Sequence, residues 1–272
     1  MVARFGSTRL RRTLLALLAL AVFYGVASEI GSRVLPRRVW VAVHYVEGVE
    51  LLPPYASLAE EAVFLVRSGI LGGGVLVTGG RVLLGVAAGA LVGIPLGLAM
   101  ALRARVEFLA EPWVVFFRFT PALALLPLYV LWFGLGELPK ILLVATGVAI
   151  VTLQGAFEGA RSAAAVHLHA AAALGTPPSM VVRRIILPAA VPAVLSSLRI
   201  ATALAWVTVV VAELIKPTMP SLGYLLALGG AYPRVPTIVL AIATIGVLVL
   251  VSDGIVLGTY RRSTRWMRRR VA

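Results

Sequence analysis

Six long apolar runs, separated by polar or Pro/Gly-rich connectors, organise this chain. They cover approximately 13–31, 75–102, 112–134, 139–157, 190–214 and 236–258. A helix needs roughly 20 predominantly apolar residues to cross the hydrocarbon core of a bilayer, and each run is close to or above that length. The pattern predicts an all-α membrane protein with six transmembrane helices. The first run follows a basic start containing Arg4, Arg9, Arg11 and Arg12, which resembles the n-region of a signal peptide. No clean small-x-small cleavage site leads from it into a hydrophilic mature domain, so it is read as a retained helix.

The connectors carry structure of their own. In the loop from about 32 to 74, a Pro-Pro turn precedes Ser57 and an apolar pattern at Leu58, Ala62, Val63, Leu65 and Val66. That pattern predicts a short amphipathic helix near the outer face. The run GILGGGVLVTGG that follows has no Lys-Ser or Lys-Thr and so cannot be a phosphate-binding P-loop. It reads as close helix packing or a flexible approach to the second span. The last outer connector, KPTMPSLGYLLALGGAYPRVP, mixes prolines and glycines with a short apolar centre and predicts a partly inserted, non-spanning helix. The expected segments are 1–12, a first helix with the outer amphipathic helix over 13–74, a core over 75–260 and a basic tail over 261–272.

Composition supports a membrane chain: 60% of residues are hydrophobic, 13% are charged and the mean hydropathy is +0.99. There are no cysteines, which removes disulfides and thiolate metal sites. The net charge of +14 does not point to nucleic acid, because the arginines stand at the ends of apolar runs. They read as topology signals instead. One set comprises the first twelve residues, Arg103 with Arg105, the segment from Arg161 to Arg184, and the tail from Arg261 onward. The alternate set, from Arg33 to Arg234, holds about half as many. The bias puts both termini and the segment around 158–188 in the cytoplasm.

That segment contains HLHAAAALGTPPSMVVRRIILP, residues 167–188. Alanine-rich Ser162 to Leu174 predicts a helix with so little side-chain bulk that another surface can approach it closely. Gly175 stands where a left-handed residue ends a helix, Thr176 can cap the next one, and Pro177 suits its first position. In that second helix Val181, Val182, Ile185 and Ile186 share a face opposite Arg183 and Arg184, which predicts an interfacial elbow ending at Pro188. Such a unit suits the docking of a cytoplasmic partner; the alternative is a long connecting loop with helical content.

Ala170, Ala171, Gly175, Ile185, Leu187 and Pro188 match the spacing of the "EAA" loop, which this chain resembles, of membrane subunits of ATP-binding-cassette importers. The stretches GIPLGLAMAL, LLPLYVLWFGLGELPKILLV, EGARS and LRIATALAWVTVVVAEL are similar to the nitrate, sulfonate and taurine branch, over roughly residues 51–270. One position departs from the pattern: His169 stands where the family usually has Glu. It either supplies a hydrogen bond to a docking partner or is a tolerated surface residue.

The resemblance implies the type I importer fold and a machine of several chains in the bacterial inner membrane. Two copies of this subunit would form the pathway, two cytoplasmic ATPase subunits would drive it, and an extracytoplasmic binding protein would deliver a small anionic solute. Sulfonates, taurine, nitrate and bicarbonate all fit that description. The chain has no GxxxxGK followed by Ser or Thr, so ATP and its Mg belong to the partner ATPase and no cofactor is expected here. Coupling is assigned to His169, Ala170, Ala171, Gly175, Thr176, Ile185, Leu187 and Pro188.

Ionisable residues inside spans are the next candidates, since a charge at mid-bilayer is costly. They are Arg81, Arg118, Arg199, Glu213 and Asp253. Arg118 and Glu213 are the pathway candidates; an inward-lying Arg118 can also snorkel, and an acid such as Glu213 would repel an anion, which favours a structural role for it. His44, His167 and His169 make no metal-ligand set, and no carboxylate pair sits at helical spacing inside a span. No catalytic or metal site is therefore expected. A stand-alone channel or secondary transporter is the alternative, and it would have no use for the corner at Gly175.

Overall fold

A computed structural model describes Val22, Tyr45–Val46, Val49–Glu50 and residues 53–163, 165–232 and 234–264. Apart from Val22, the first predicted span (13–31) lies outside these residues, as do the basic start, His44 and the tail beyond 264. Tyr45–Val46 and Val49–Glu50 form a two-residue antiparallel ladder, β1 with β2. The remaining described elements are helical. They fall into two compact units: one holds residues up to Ile70 together with Leu225–Ile242, and the other holds Leu71–Tyr224 with the chain from Ala243 onward.

In the first unit, α1 (Tyr55–Arg67) is the expected amphipathic helix. Its N-cap is Pro54, whose carbonyl accepts a 2.8 Å bond from the Ser57 hydroxyl. Leu65 is buried whereas Val63, Phe64 and Val66 are exposed. The Thr237 hydroxyl donates to Glu61 at 2.6 Å, which ties α1 to the start of the helix Val235–Ser263 within this unit.

The second unit is built on long apolar helices. α2 runs from Ile70 to Leu102, and α3 (Ala104–Phe119) meets α4 (Leu126–Phe133) through the tight turn Ala122–Leu125. α5 covers Glu137–Arg161 and the short α6 covers Ala165–Ala173. α7 runs continuously from Pro178 to Ile215, α8 is Leu222–Ala231 and α9 is Val235–Ser263. Among the described residues four helices are long and apolar enough to cross a membrane, and the bent α3–α4 pair makes a fifth crossing if counted as one. The ten-residue α8 is too short to span.

Two expectations need correction. The run 112–134 is not one straight span: α3 and the Ala122–Phe133 segment are bent by 97°. Pro121 explains the break, since a residue preceding proline is pushed out of the helical region and Thr120 has ψ 123. Second, the helix starting near 178 does not stop at Pro188. A π turn at Val182–Ile186 loosens the backbone ladder just before Pro188, and the helix continues to Ile215. The widened turn accommodates the missing amide that would otherwise break the helix.

Close packing follows from glycine placement. Gly85, Gly89, Gly93 and Gly97 recur every fourth residue on α2, and a Cβ on any of them would fall less than 3.0 Å from α5, against Val144, Val148, Thr152 or the carbonyls of Ala145, Ala149 and Leu153. On α5, Gly155 and Gly159 do the same toward Ser197 and Ala193 of α7. Small residues thus let α5 lie backbone to backbone between α2 and α7, the geometry that replaces the hydrophobic effect inside lipid. Around this seam Val82, Val144, Val148, Ala201, Ala205, Trp206 and Val209 form a buried cluster, extended by Ile245, Leu248 and Val249 of α9. The Trp206 indole donates to the Ser252 hydroxyl at 3.0 Å, satisfying its one polar atom.

This seam predicts unequal glycine substitutions. Gly93→Ala should destabilise the protein by about 1–3 kcal/mol through overpacking against Ala149 and Thr152. Gly79→Ala, where a Cβ meets nothing within 4 Å, should be neutral or stabilise by up to about 1 kcal/mol. Unfolding of each variant in mixed detergent micelles measures the difference.

Candidate functional site

Two places in the second unit concentrate polar chemistry, at opposite ends of α5. The first is the corner between α6 and α7. α6 ends in a Schellman arrangement: Gly175, in the left-handed region at φ +62, donates to the Ala172 carbonyl at 3.0 Å, and the Thr176 amide donates to Ala171, also at 3.0 Å. The next helix is capped one residue later than the sequence predicts. Pro177 takes the cap and Pro178 the first helical position, so Thr176 stands one residue before the cap. α6 itself is shorter than expected, since α5 extends to Arg161 and Ser162 closes it.

The corner is open to its surroundings. His167, His169, Ala170, Leu174 and Gly175 are exposed, and Leu174 is 83% so. Ala171 turns inward and is buried. Of the other coupling candidates, Ile185 lies in the π turn, Leu187 and Pro188 follow it, and all three are partly or largely exposed on α7. The structure therefore brings the eight residues into one continuous corner and helix, with an exposed apolar knob at Leu174. Nearby charge also faces outward: Arg161, at the end of α5, pairs with Glu107 of α3 at 2.9 Å. The bend between α2 and α3, carrying Arg103 and Arg105, thus lies at the same end as Arg161.

The second place is buried. Arg81 of α2, only 3% exposed, donates through Nε and NH2 to both oxygens of Glu137 at 2.5 and 2.6 Å and through NH1 to Glu213 at 2.5 Å. Its NH2 also reaches the Thr218 hydroxyl at 3.1 Å, which accepts a 2.6 Å bond from Lys140 as well. Two cations face two carboxylates, so the cluster is neutral. Glu213 is fully buried, and its second oxygen accepts bonds from Thr78 at 3.0 Å and from the Gly223 amide at 2.9 Å. Thr78 accepts the Leu222 amide at 3.0 Å and Ser221 the Tyr224 amide at 3.0 Å. Three free amides at the start of α8 are thereby satisfied by side chains, as a helix terminus out of water requires.

Glu213, a pathway candidate from sequence, thus spends its carboxylate on protein donors. Arg118 is different. It is exposed on α3, stands over the Phe119 ring at 5.1 Å and lines a cavity of about 200 Å³ with Glu107, Glu111, Gln154, Glu158 and Arg161. The structure does not bring Arg118 and Glu213 together. A larger cavity of about 400 Å³, lined mostly by apolar groups of α2 to α5, has the Tyr129–Thr146 hydroxyl pair, 2.7 Å apart, in its wall. Arg199 and Asp253, the remaining intramembrane ions, pair with each other across α7 and α9.

Sequence reasoning missed Glu137, Lys140, Thr78 and Thr218. A signal existed: Glu137 and Lys140 stand three residues apart where an apolar run begins, a spacing that puts both on one helix face. Nothing local, however, ties them to Arg81 or to Glu213, which are 56 residues before Glu137 and 132 after Arg81 respectively.

Comparison with known proteins places this geometry. Residues 93–269 match the family described as "Binding-protein-dependent transport system inner membrane component". A "Probable ABC transporter permease protein" of Brucella abortus (strain 2308) is 36% identical over 82% of this chain and 88% of its own. The taurine transport system permease protein of Escherichia coli (strain K12) is 36% identical over 68% of this chain and 67% of its own. Among solved structures, a chain of the inward-facing MetNI methionine ABC transporter superposes with a TM-score of 0.62 at 18% identity, covering 73% of this chain and 98% of that one; this is a likeness of fold.

The buried cluster predicts graded losses. Glu213→Gln leaves the Arg81 charge short of a fully buried partner and should cost about 3–5 kcal/mol. Glu137→Gln, at a side chain 57% exposed, should cost no more than about 1 kcal/mol. Thermal unfolding of the purified variants in detergent gives the ranking.

Proposed function

We propose a solute-import function for this chain, which belongs to the family of binding-protein-dependent transport system inner membrane components. It is the permease subunit of an ABC importer, a multi-pass inner membrane protein, and it is not itself an enzyme. ATP-binding subunits and a solute-binding protein are its partners, which sets it apart from a stand-alone channel or secondary transporter.

Beyond that, two copies form the pathway and two ATPase subunits bind from the cytoplasm, where both termini and the α6–α7 corner lie. The arginine bias along the sequence supports this orientation, as does the grouping of Arg161 with the α2–α3 bend. The cargo is a small anion or sulfonate, of the class of taurine, alkanesulfonates, nitrate or bicarbonate; the taurine permease relative supports that class. Of the two pathway candidates Arg118 is the one whose charge suits an anion, and it is the residue proposed to meet the cargo, in a cavity whose wall also carries Glu107, Glu111 and Glu158.

The observation that carries the coupling role is mechanical. An exposed alanine helix is locked by a Schellman corner to a rod that runs 38 residues without interruption, from Pro178 to Ile215. In an importer, nucleotide binding must favour one arrangement of the spans over another, and reversing a 99:1 preference takes on the order of 5.5 kcal/mol. Work of that size needs a stiff lever. The knob at Leu174 and the small face around His169, Ala170 and Ala171 form the contact, and Gly175, Thr176, Ile185, Leu187 and Pro188 hand displacement to α7. ATP with Mg acts on the partner and supplies the drive.

Gly175→Val tests the lever. A β-branched residue is strained at φ +62 although its side chain would meet open space. The variant should insert normally and bind the ATPase while solute uptake falls at least tenfold relative to ATP hydrolysis in proteoliposomes. Gly175→Asn, which tolerates the left-handed region, should restore most of the coupling. Wild-type transport by Gly175→Val would refute the assignment. Separately, deleting residues 165–180 should abolish co-purification of the ATPase without preventing membrane insertion.

A further inference from the structure

Arg81 holds both carboxylates of the buried cluster, and Lys140 holds neither. Lys140 stands in the first turn of α5 and is only 2% exposed, yet its ammonium donates to a neutral hydroxyl, that of Thr218, at 2.6 Å. Among the described residues no carboxylate lies at ion-pair distance from it, since Glu137 and Glu213 both pair with Arg81. A cation taken out of water ordinarily has an anion of its own. Arg81 donates to the same Thr218 hydroxyl at 3.1 Å, so the two cations converge on one point.

The two carboxylates are not equivalent. Glu213 is fully buried and is held from its far side by Thr78 and the Gly223 amide. Glu137 is 57% exposed, and its two side-chain bonds, at 2.5 and 2.6 Å, both come from Arg81. A guanidinium that presents two parallel N–H groups to a carboxylate presents the same fork to a sulfonate, nitrate or bicarbonate. The approach beside Glu137 is uncrowded: it follows Gly134 and Gly136, and a Cβ added to either glycine would meet nothing within 4 Å. Gly136 is also the N-cap of α5 and brings no side chain to the first amides of the helix, which favour an anion.

We infer that Arg81 and Lys140 form an oxyanion-binding site, in which the Glu137 carboxylate occupies the place that the acidic group of an incoming solute takes. With Glu137 turned out to water, Arg81 and Lys140 face Glu213 alone, and the net positive charge left behind is cancelled by one bound anion. Glu137 is thus a resident competitor. It satisfies Arg81 while the site is empty, and it holds the affinity low enough for the solute to leave again. Glu213 stays in place throughout and keeps α2, α7 and α8 together. The assignment rests on the anionic-cargo reading proposed above and adds a second site to it. This site lies at the end of α5 away from the Arg118 cavity, where the proposed orientation puts the outside and the cargo arrives.

Charge variants of the full chain test the site. The purified permease in detergent is titrated with sodium methanesulfonate in exchange for sodium chloride at constant ionic strength, and the half-saturating concentration is read from thermal stabilisation. Glu137→Gln should lower that concentration at least tenfold relative to wild type. Adding Lys140→Gln to Glu137→Gln, which makes the cluster neutral again, should reverse the gain. Glu60→Gln, which removes an exposed carboxylate elsewhere, should leave the wild-type value. No tightening in Glu137→Gln, equal tightening in Glu60→Gln, or tightening that survives Lys140→Gln would each overturn the site. If the double variant does not fold, Glu137→Gln against Glu60→Gln decides alone. Uptake of methanesulfonate, taurine and nitrate by the wild-type transporter in proteoliposomes is measured alongside. Uptake without tightened binding in Glu137→Gln overturns the site and leaves the import reading standing. Tightened binding with no uptake of any of the three sinks the anionic-cargo reading, and the role of the site in import with it.

Discussion

Satisfying polar groups without water is the constraint on which this structure depends. Lipid offers no hydrogen bonds, so every ion and every helix terminus drawn into the protein must find its partner there. The Arg81–Glu213 contact meets that demand for several elements at once. One guanidinium holds α2 to α5 through Glu137 and to α7 through Glu213, and the same Glu213 carboxylate receives an amide from the start of α8. An isolated charge at the bilayer centre costs at least about 2.5–3.5 kcal/mol, so the cluster coheres because each member is more costly alone. It also fixes register: the glycine seam of α2 meets α5 at one offset, and the ions above it define which.

The opposite end of the same helices is organised differently. There the polar groups are exposed, paired loosely or not at all, and arranged along a corner and a long rod. Arg161 with Glu107 is a surface pair, 58% and 28% exposed, and contributes little rigidity. At this end the chain is organised by backbone hydrogen bonding through Gly175 and by the length of α7, which is continuous although widened at Val182–Ile186. A permease with one locked end and one accessible end has a natural place for a fulcrum and a natural place for a handle.

Much of this was legible in the sequence because bilayer physics writes itself in one dimension. Hydrophobic run length located the apolar helices, Pro-Pro before Ser57 located α1, and Gly175 after an alanine block located the corner. The misreadings share a cause. Pro121 broke a span that hydropathy alone made continuous, whereas Pro188 failed to break one because a π turn two residues earlier had already opened the ladder. A proline's effect depends on the state of the backbone before it, which composition does not report. The ionic partnerships were illegible for a different reason. Arg81, Glu137 and Glu213 meet through three separate helices, and only their individual cost, not their pairing, shows in the chain.

The π turn at Val182–Ile186 carries a mechanical consequence. Such a turn holds one residue more than an α-helical turn needs. If it tightened, the helix downstream would rotate by about 100° and slide about 1.5 Å along its axis. A shove delivered at the exposed corner could therefore emerge from the rod as torque, swinging Arg199 and its neighbours around the helix axis as a screw converts thrust into turning.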